Sequence, residues 1–352
     1  MFLIGLGTAV PPWRYSQREC WEALQASSQF SDLATQSQAL LRKVLTNDNG
    51  ICTRHLALPD IQEAFDLSPD TLHQRFRDHA PRLASDAARQ ALESAGCEVQ
   101  AIDAVVVSTC TGYLCPGLTS YVTEMVGLRA DVVPLDLVGQ GCGAALPSLG
   151  AAEALLTSGR AEHVLVICVE ICSAAFYVDN DPGVLISACL FADGAAAAVL
   201  SREANPHHRR VEWRASGFFT VPADRDLLRF EQKGGRLRNI LRPEVPGRAA
   251  FCAEHVHRTT LAKAGMDGER IAGWLFHPGG RAVLRALAER FGLPEEDLRW
   301  SAAVLSEFGN LSSPSVLFVL RRALAERPPG GWWWMSSFGA GFSCFGALLR
   351  VE

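Results

Sequence analysis

The sequence predicts an α/β fold built from two similar halves. Three observations carry this reading. Short apolar runs that read as buried strands alternate with segments of helical period. The same order of elements recurs in the two parts of the chain. The 352 residues, 48% hydrophobic and 20% charged, are enough to bury layered sheets under helices.

Taken in order, "FLIGLGTAV", "DAVVVST", "HVLVICVE" and "AAAAVLS" read as strands of the first part, and "GWLFH", "WWWMSSF" and "CFGALLRV" as strands of the second. Between them, "SDAARQALESAG", "ALPSLGAAEALLTSG", "RAVLRALAERFG" and "SPSVLFVLRRALAE" carry helical spacing. The polar stretch from Asn205 to Arg210 marks a boundary, giving halves 1–205 and 206–352. Aligning Gly112 with Gly280 sets Thr109 against His277. From Thr109 to Cys142 is 33 positions, and from His277 to Asn310 is again 33. Cys142 and Asn310 each sit in a glycine-containing turn that leads into an apolar helix. This pattern predicts an internal duplication.

Several function classes are excluded or disfavoured. A net charge of −5 and the lack of any dense basic run argue against nucleic acid as the main partner. The apolar N-terminus is broken by Gly5, Gly7, Pro11 and Pro12 and has no basic flank, so it is not a signal peptide. No uninterrupted apolar run reaches the ~18 residues of a membrane span. A cytoplasmic location is expected, with the eleven cysteines as reduced thiols, most of them small buried hydrophobes. There is no CxxC pair, and Cys168 and Cys172 have no histidine nearby to complete a zinc set, so no metal site is expected.

Cys142, in "GQGCGAAL", is different. A cysteine at a helix start has its thiolate stabilised by unpaired N–H groups and the helix dipole. Gly141 and Gly143 let backbone and substrate approach, and N–H groups at such a turn can hold an oxyanion. His277 follows an apolar strand and precedes the glycine loop of Gly279 and Gly280, where a side chain can protrude into a cleft. Asn310 suits either a helix N-cap or a site in a converging turn. A Cys, His and Asn set suits acyl transfer with carbon–carbon bond formation. The thiolate would hold an acyl group, while His277 and Asn310 would stabilise the enolate left when a malonyl group loses carbon dioxide. No metal or redox cofactor is required. Cys344, beside the C-terminal glycine-rich loop, is expected to be inert.

The segments "GQGCGAALPSL", "WLFHPGGRAVL", "GNLSSPSVLFVL", "SSFGAGFSCFGALL" and "EICSAAFYVDNDPGVLISACLFADGAAAAVL" resemble the type III polyketide synthases, the chalcone synthase-like enzymes, over nearly the whole chain. The resemblance implies a thiolase-like fold, α-β-α-β-α in layers, in a homodimer. It implies Cys142 as the acyl-carrying nucleophile and His277 with Asn310 as the decarboxylation pair, with His277 also lowering the thiol pKa. It implies acyl-CoA and malonyl-CoA as substrates, joined by iterative condensation and cyclisation. Phe191 matches a gating phenylalanine between the CoA tunnel and the cavity. Cys115 matches a position that reaches into the partner's cavity, and Cys110, Ala175 and Ser312 match cavity-lining positions. Gly279 and Gly280 complete the expected substrate-binding set. A second gate aromatic is replaced by Asn239, and Ala175 stands where a larger residue is common. Both departures predict a wider cavity for a bulkier or longer starter, and the product expected is of alkylpyrone or alkylresorcinol type or another aromatic compound. Arg42, Lys43 and Arg54 are the candidates for the CoA phosphates. A single-round ketoacyl-ACP synthase of the initiating type and an inactive scaffold are the alternatives.

Overall fold

The structure is a computed structural model that describes every residue except Asp267. Its strands are β1 (Phe2–Ala9), β2 (Arg14–Ser16), β3 (Thr53–His55), β4 (Ala104–Ser108), β5 (Val133–Leu137), β6 (His163–Glu170), β7 (Gly194–Ser201), β8 (Val211–Thr220), β9 (Leu228–Lys233), β10 (Arg236–Leu241), β11 (Ile271–Phe276), β12 (Gly331–Gly339) and β13 (Ser343–Val351). Nine of them join in the order β11-β12-β13-β8-β1-β7-β6-β4-β5. The middle of this array is a narrow seam, because β1 pairs with β8 only at Phe2↔Glu212 and Leu3↔Val211. Two half-sheets therefore meet at one corner.

Counted within each half, the strands run third, second, fourth, fifth, first toward the seam in the N-terminal half. The C-terminal half has the same order without a third strand. The chain at that place forms the helix Arg299–Phe308 instead, which buries Trp300, Val304 and Leu305. The spacing of those side chains along "RWSAAVLSEF" is helical, so the repeat of architecture yields there to local pattern.

Five layers follow from three cores. The helices Ala145–Thr157 and Ser315–Ala325 lie between the half-sheets and share one core with Val106, Val166, Trp213 and Met335. The helices Pro69–Ala95 and Leu118–Val126 cover the outer face of the first half-sheet. Val245–Lys263 and Arg281–Phe291 cover the outer face of the second. Strands such as β4 and β7, fully buried throughout, read as unbroken apolar runs because both faces are covered.

The helix Pro69–Ala95 is longer than its sequence signal, which begins only at Ser85. Ser68 caps its start by accepting from the Thr71 N–H, and Gly96, at φ 58°, closes it. Pro81 sits inside this helix and reads as a break in the sequence, since it removes a hydrogen bond and crowds the preceding turn. Burial of Leu72, Phe76, Ala80, Ala84 and Ala88 against the outer face of the sheet outweighs that cost. The fit to β1 is close: a Cβ on Gly7 would lie 2.1 Å from the Ala87 carbonyl oxygen. We expect Gly7→Ala to destabilise the fold by about 1–3 kcal/mol by overpacking, read as a lower midpoint in urea denaturation at unchanged slope.

Among the described residues, no helix is long and apolar enough to cross a membrane.

Candidate active site

Cys142 lies in a short 3₁₀ turn, Gly141–Gly143, that opens directly into the helix Ala145–Thr157. Gly141 has φ 55°, a left-handed conformation that glycine adopts without a Cβ clash. The space beside the turn is not open to substrate on every side. A Cβ on Gly141 would lie 3.1 Å from the Ala340 nitrogen, and one on Gly143 would lie 3.0 Å from the Phe345 ring. The Ser337 hydroxyl donates to the Gly143 carbonyl at 3.0 Å. The loop between β12 and β13 thus seats the cysteine turn.

His277 is the residue after β11, and Thr109 is the residue after β4, so the two strand ends correspond as the repeat predicts. His277 is fully buried, its ring edge-on to Phe338 with centroids 5.2 Å apart. Asn310 is not an N-cap: the helix Ser315–Ala325 begins after Pro314 with no side-chain cap. Its Nδ2 donates to the Gly279 carbonyl at 3.1 Å, and its Oδ1 accepts from the Ser312 N–H at 2.9 Å. The Gly279 N–H in turn donates to the His277 carbonyl at 3.0 Å. The Ser312 hydroxyl donates to Cys142 Sγ at 3.2 Å. Cys142, Ser312, Asn310, Gly279 and His277 are therefore joined in one chain of contacts. Ser312 has φ 61°, an uncommon conformation for a residue with a side chain, held where it serves both Cys142 and Asn310.

The resting electrostatics differ from the sequence expectation. Burial pushes the Cys142 thiol up to about 12, with the Ser312 hydrogen bond pulling the other way. Burial also lowers His277 to about 3. No hydrogen bond joins Cys142 to His277 among the described residues, and His277 Nδ1 has no partner. Burial at both groups favours the uncharged thiol and the uncharged imidazole over the charged pair. We expect Ser312→Ala to slow alkylation of Cys142 at a fixed, mildly alkaline pH by a few-fold up to about tenfold, measured as the rate of mass labelling by iodoacetamide.

Glu170, the last residue of β6, is a functional candidate that the sequence reading missed. It is wholly buried, and that burial raises its pKa. Its carboxylate accepts from the Cys110 N–H at 3.0 Å, from the Thr111 hydroxyl at 2.9 Å and from the Ser313 hydroxyl at 2.6 Å. Ser312 reaches it at 3.4 Å. One carboxylate thereby fixes both the turn after β4 and the turn after Asn310. The only signal for it along the chain is a lone glutamate at the end of the apolar run "HVLVICVE".

Cys142 opens onto a cavity of about 610 Å3 counted to its mouth. Phe191, Cys110, Ala175, Asn239 and Ser312 all line it. Phe191 also ties the walls to the catalytic turn, because its neighbours Leu190 and Ala192 exchange backbone hydrogen bonds with Asn310. Phe230 pairs directly across the β9–β10 hairpin from Asn239 and lines the same cavity. An aromatic side chain therefore stands beside Asn239 in the cavity wall, a neighbour that only the hairpin register discloses.

Six expected positions fall elsewhere. Arg54 is buried and donates to the Ala188 and Phe191 carbonyls at 2.7 and 3.0 Å. It clamps the end of the helix Pro182–Leu190 and is not available to a CoA phosphate. Arg42 and Lys43 are exposed on the helix Thr35–Thr46, beside a groove containing Trp21, Phe30 and Gln38. That helix packs on Leu185 and Cys189, while Val184, Ser187 and Ala188 of the same turns face the cavity. The two basic residues thus lie across the helix from Cys142. Gly279 and Gly280 position Asn310 and start the helix Arg281–Phe291; they do not line the cavity. Cys115 is exposed and also outside it. Cys344 is fully buried against Ser336, with its thiol pushed up to about 12 by burial.

A doubled five-layer frame, in which Cys142 and Ser312 of the turn after Asn310 meet at one cavity, defines a thiolase-like condensing enzyme. The comparisons place it further. Residues 11–215 match the family profile described as FAE1/type III polyketide synthase-like protein, and residues 225–350 match that of the chalcone and stilbene synthases, C-terminal domain. A 1,3,6,8-tetrahydroxynaphthalene synthase of Streptomyces peucetius subsp. caesius is 32% identical over 97% of this chain and 91% of its own length. A 3,5-dihydroxyphenylacetyl-CoA synthase of Streptomyces toyocaensis is 28% identical over 99% of this chain and 89% of its own. The crystal structure of PKS-I from the brown alga Ectocarpus siliculosus superposes with a TM-score of 0.90 at 27% identity, covering 99% of this chain and 98% of that one. The chain belongs to the type III polyketide synthases, and it is an acyl-transferring, decarboxylating enzyme.

Proposed function

We propose that Cys142 takes the acyl group from an acyl-CoA starter, that His277 and Asn310 promote loss of carbon dioxide from malonyl-CoA, and that the chain grows in the cavity behind Phe191 before it cyclises. The observation that carries this is Ser312, whose hydroxyl touches Cys142 Sγ while its N–H holds the Asn310 carboxamide. In the loading step the Cys142 sulfur attacks the thioester carbonyl, its proton leaves with the CoA thiol, and an enzyme thioester forms. Malonyl-CoA then loses carbon dioxide, and the electron pair becomes an enolate whose oxygen accepts from His277 and Asn310. The enolate carbon attacks the Cys142 thioester carbonyl and expels the Cys142 thiolate, which takes up a proton from water or accepts the next acyl group. A neutral imidazole suits this role, since it donates a hydrogen bond without requiring a buried cation. The thiol and the two donors supply the chemistry without a metal or redox cofactor.

The close-walled cavity and Phe230 favour a small starter and a compact aromatic product over a long fatty acyl chain. This is in keeping with the aromatic products in the names of both bacterial relatives. We place the division between the two halves at 205/206, between β7 and β8. We also propose a cytosolic homodimer joined around the β5 edge, where Tyr113, Met125, Val133 and Val138 are exposed and Cys115 is close by in the chain. Arg42 and Lys43 remain the proposed contacts for the CoA phosphates at the outer end of the tunnel.

The purified protein incubated with malonyl-CoA and a panel of starters, from acetyl- to palmitoyl-CoA, should give aromatic product masses with two or more extensions from the short ones. A single extension onto an acyl carrier protein, or turnover of palmitoyl-CoA alone, would overturn this reading.

A further inference from the structure

The cavity has two walls from different parts of the chain. One is the β9–β10 hairpin, with Leu228, Phe230 and Asn239; the other includes Tyr177 and the helix Pro182–Leu190 with Val184, Ser187 and Ala188. Side chains alternate along a strand, so Asn239 faces the cavity while its neighbour Arg238 faces away. Arg238 Nε lies 2.7 Å from Asp179 Oδ2, Nη2 lies 3.3 Å from Asp181 Oδ2, and Nη1 lies 3.0 Å from Glu231 Oε1. Its side chain is only 12% exposed. Glu231 is its register partner across the hairpin. Asp181 also caps the helix Pro182–Leu190, its Oδ1 accepting from the Gly183 N–H at 2.8 Å. The two walls touch at their backbones, since a Cβ on Gly183 would lie 2.0 Å from the Leu241 carbonyl oxygen.

We propose that Arg238 is a positioning residue that clamps the β9–β10 hairpin to the start of the helix Pro182–Leu190 and thereby sets the width of the cavity and the number of malonyl units added. The guanidinium fork reaches three carboxylates at once, and two of them belong to the opposite wall. A planar, multidentate clamp of low exposure fixes geometry in a way that a single surface ion pair does not. Arg242, 3.6 Å from Asp181, and Arg229, 3.0 Å from Glu231, balance the remaining charge. They are more exposed and each meets one end of the cluster. Without Arg238, Asp179 would face the hairpin as an unneutralised carboxylate and Asp181 would keep only the longer contact to Arg242, and the walls would part beside Asn239 and Phe230. The inference rests on the proposed reading of the cavity as the chamber in which the polyketide grows.

The test is the product profile of Arg238→Gln against wild type, with one short starter and malonyl-CoA, read by mass spectrometry. We expect the ratio of longer to shorter polyketides to rise about threefold or more, while acylation of Cys142, read as intact protein mass, stays as in wild type. Arg238→Lys, which keeps the charge but reaches fewer carboxylates, should return the ratio part of the way. If Arg238→Gln does not fold, Asp179→Asn is measured in its place, with the same direction expected. An unchanged ratio in a folded, acylated variant overturns the clamp. A wild-type protein that acylates Cys142 but never extends the chain would instead overturn the polyketide reading beneath it.

Discussion

Cys142→Ala should abolish acylation of the protein and lower product formation by ~10⁴-fold or more, since the covalent carrier has no substitute in the site. Cys110 and Cys172 line the same cavity, but neither sits in the glycine-bracketed turn at the start of the helix Ala145–Thr157 that Cys142 occupies. The measurement is intact mass after incubation with a starter acyl-CoA: wild type should gain one acyl group and the variant none. An adduct of equal stoichiometry on the variant would move the nucleophile to another cysteine. The variant leaves the fold intact, because the turn is held by Gly141 and by the loop after β12, not by the thiol.

Replacing His277 should have the next largest effect. His277→Gln should reduce carbon dioxide release from malonyl-CoA by ~10²–10³-fold, the scale of losing one donor to a developing oxyanion, while acylation of Cys142 by a starter falls much less. Equal losses in both steps would mean that His277 serves the thiol. The pH dependence separates the roles further. With its pKa lowered to about 3 by burial, the imidazole should stay neutral through pH 6.5, so decarboxylation should show no inflection near that ordinary histidine value. The same shift makes a stability statement. The unfolded chain binds a proton at this histidine below about 6.5, whereas the folded chain binds it only near 3. Stability therefore falls as the pH drops from 6.5 toward 3. His257, lowered to about 4 by burial, adds to the same trend. His277→Gln should flatten part of this acid loss in a series of urea melts, and an identical pH profile would count against a buried, neutral His277.

Much of this is legible in the chain. The strands of "HVLVICVE" and "AAAAVLS" and the equivalence of Thr109 with His277 follow from apolar runs and from spacing, which are local properties. The strands β5, β8, β9 and β10 give no such signal. β5 and β8 are half-exposed, so they carry no continuous apolar run, and β9 and β10 are rich in charged residues. The helix through Pro81 is hidden for a similar reason: a local break is overridden by packing on β1. Arg54 reads as a free cation because sequence carries no record of burial.

Periodicity, glycine placement and motif order are written along the chain, and they suffice for the doubled α/β frame, the cysteine and asparagine turns and the family. They do not reveal that Glu170 ties the two turns together, that Phe230 stands beside Asn239 in the cavity wall, or that burial works against charge on the thiol and the imidazole. Those three emerge only on folding. They depend on which distant segments meet and on how much water is excluded where they meet, and neither quantity is a property of any single stretch of residues.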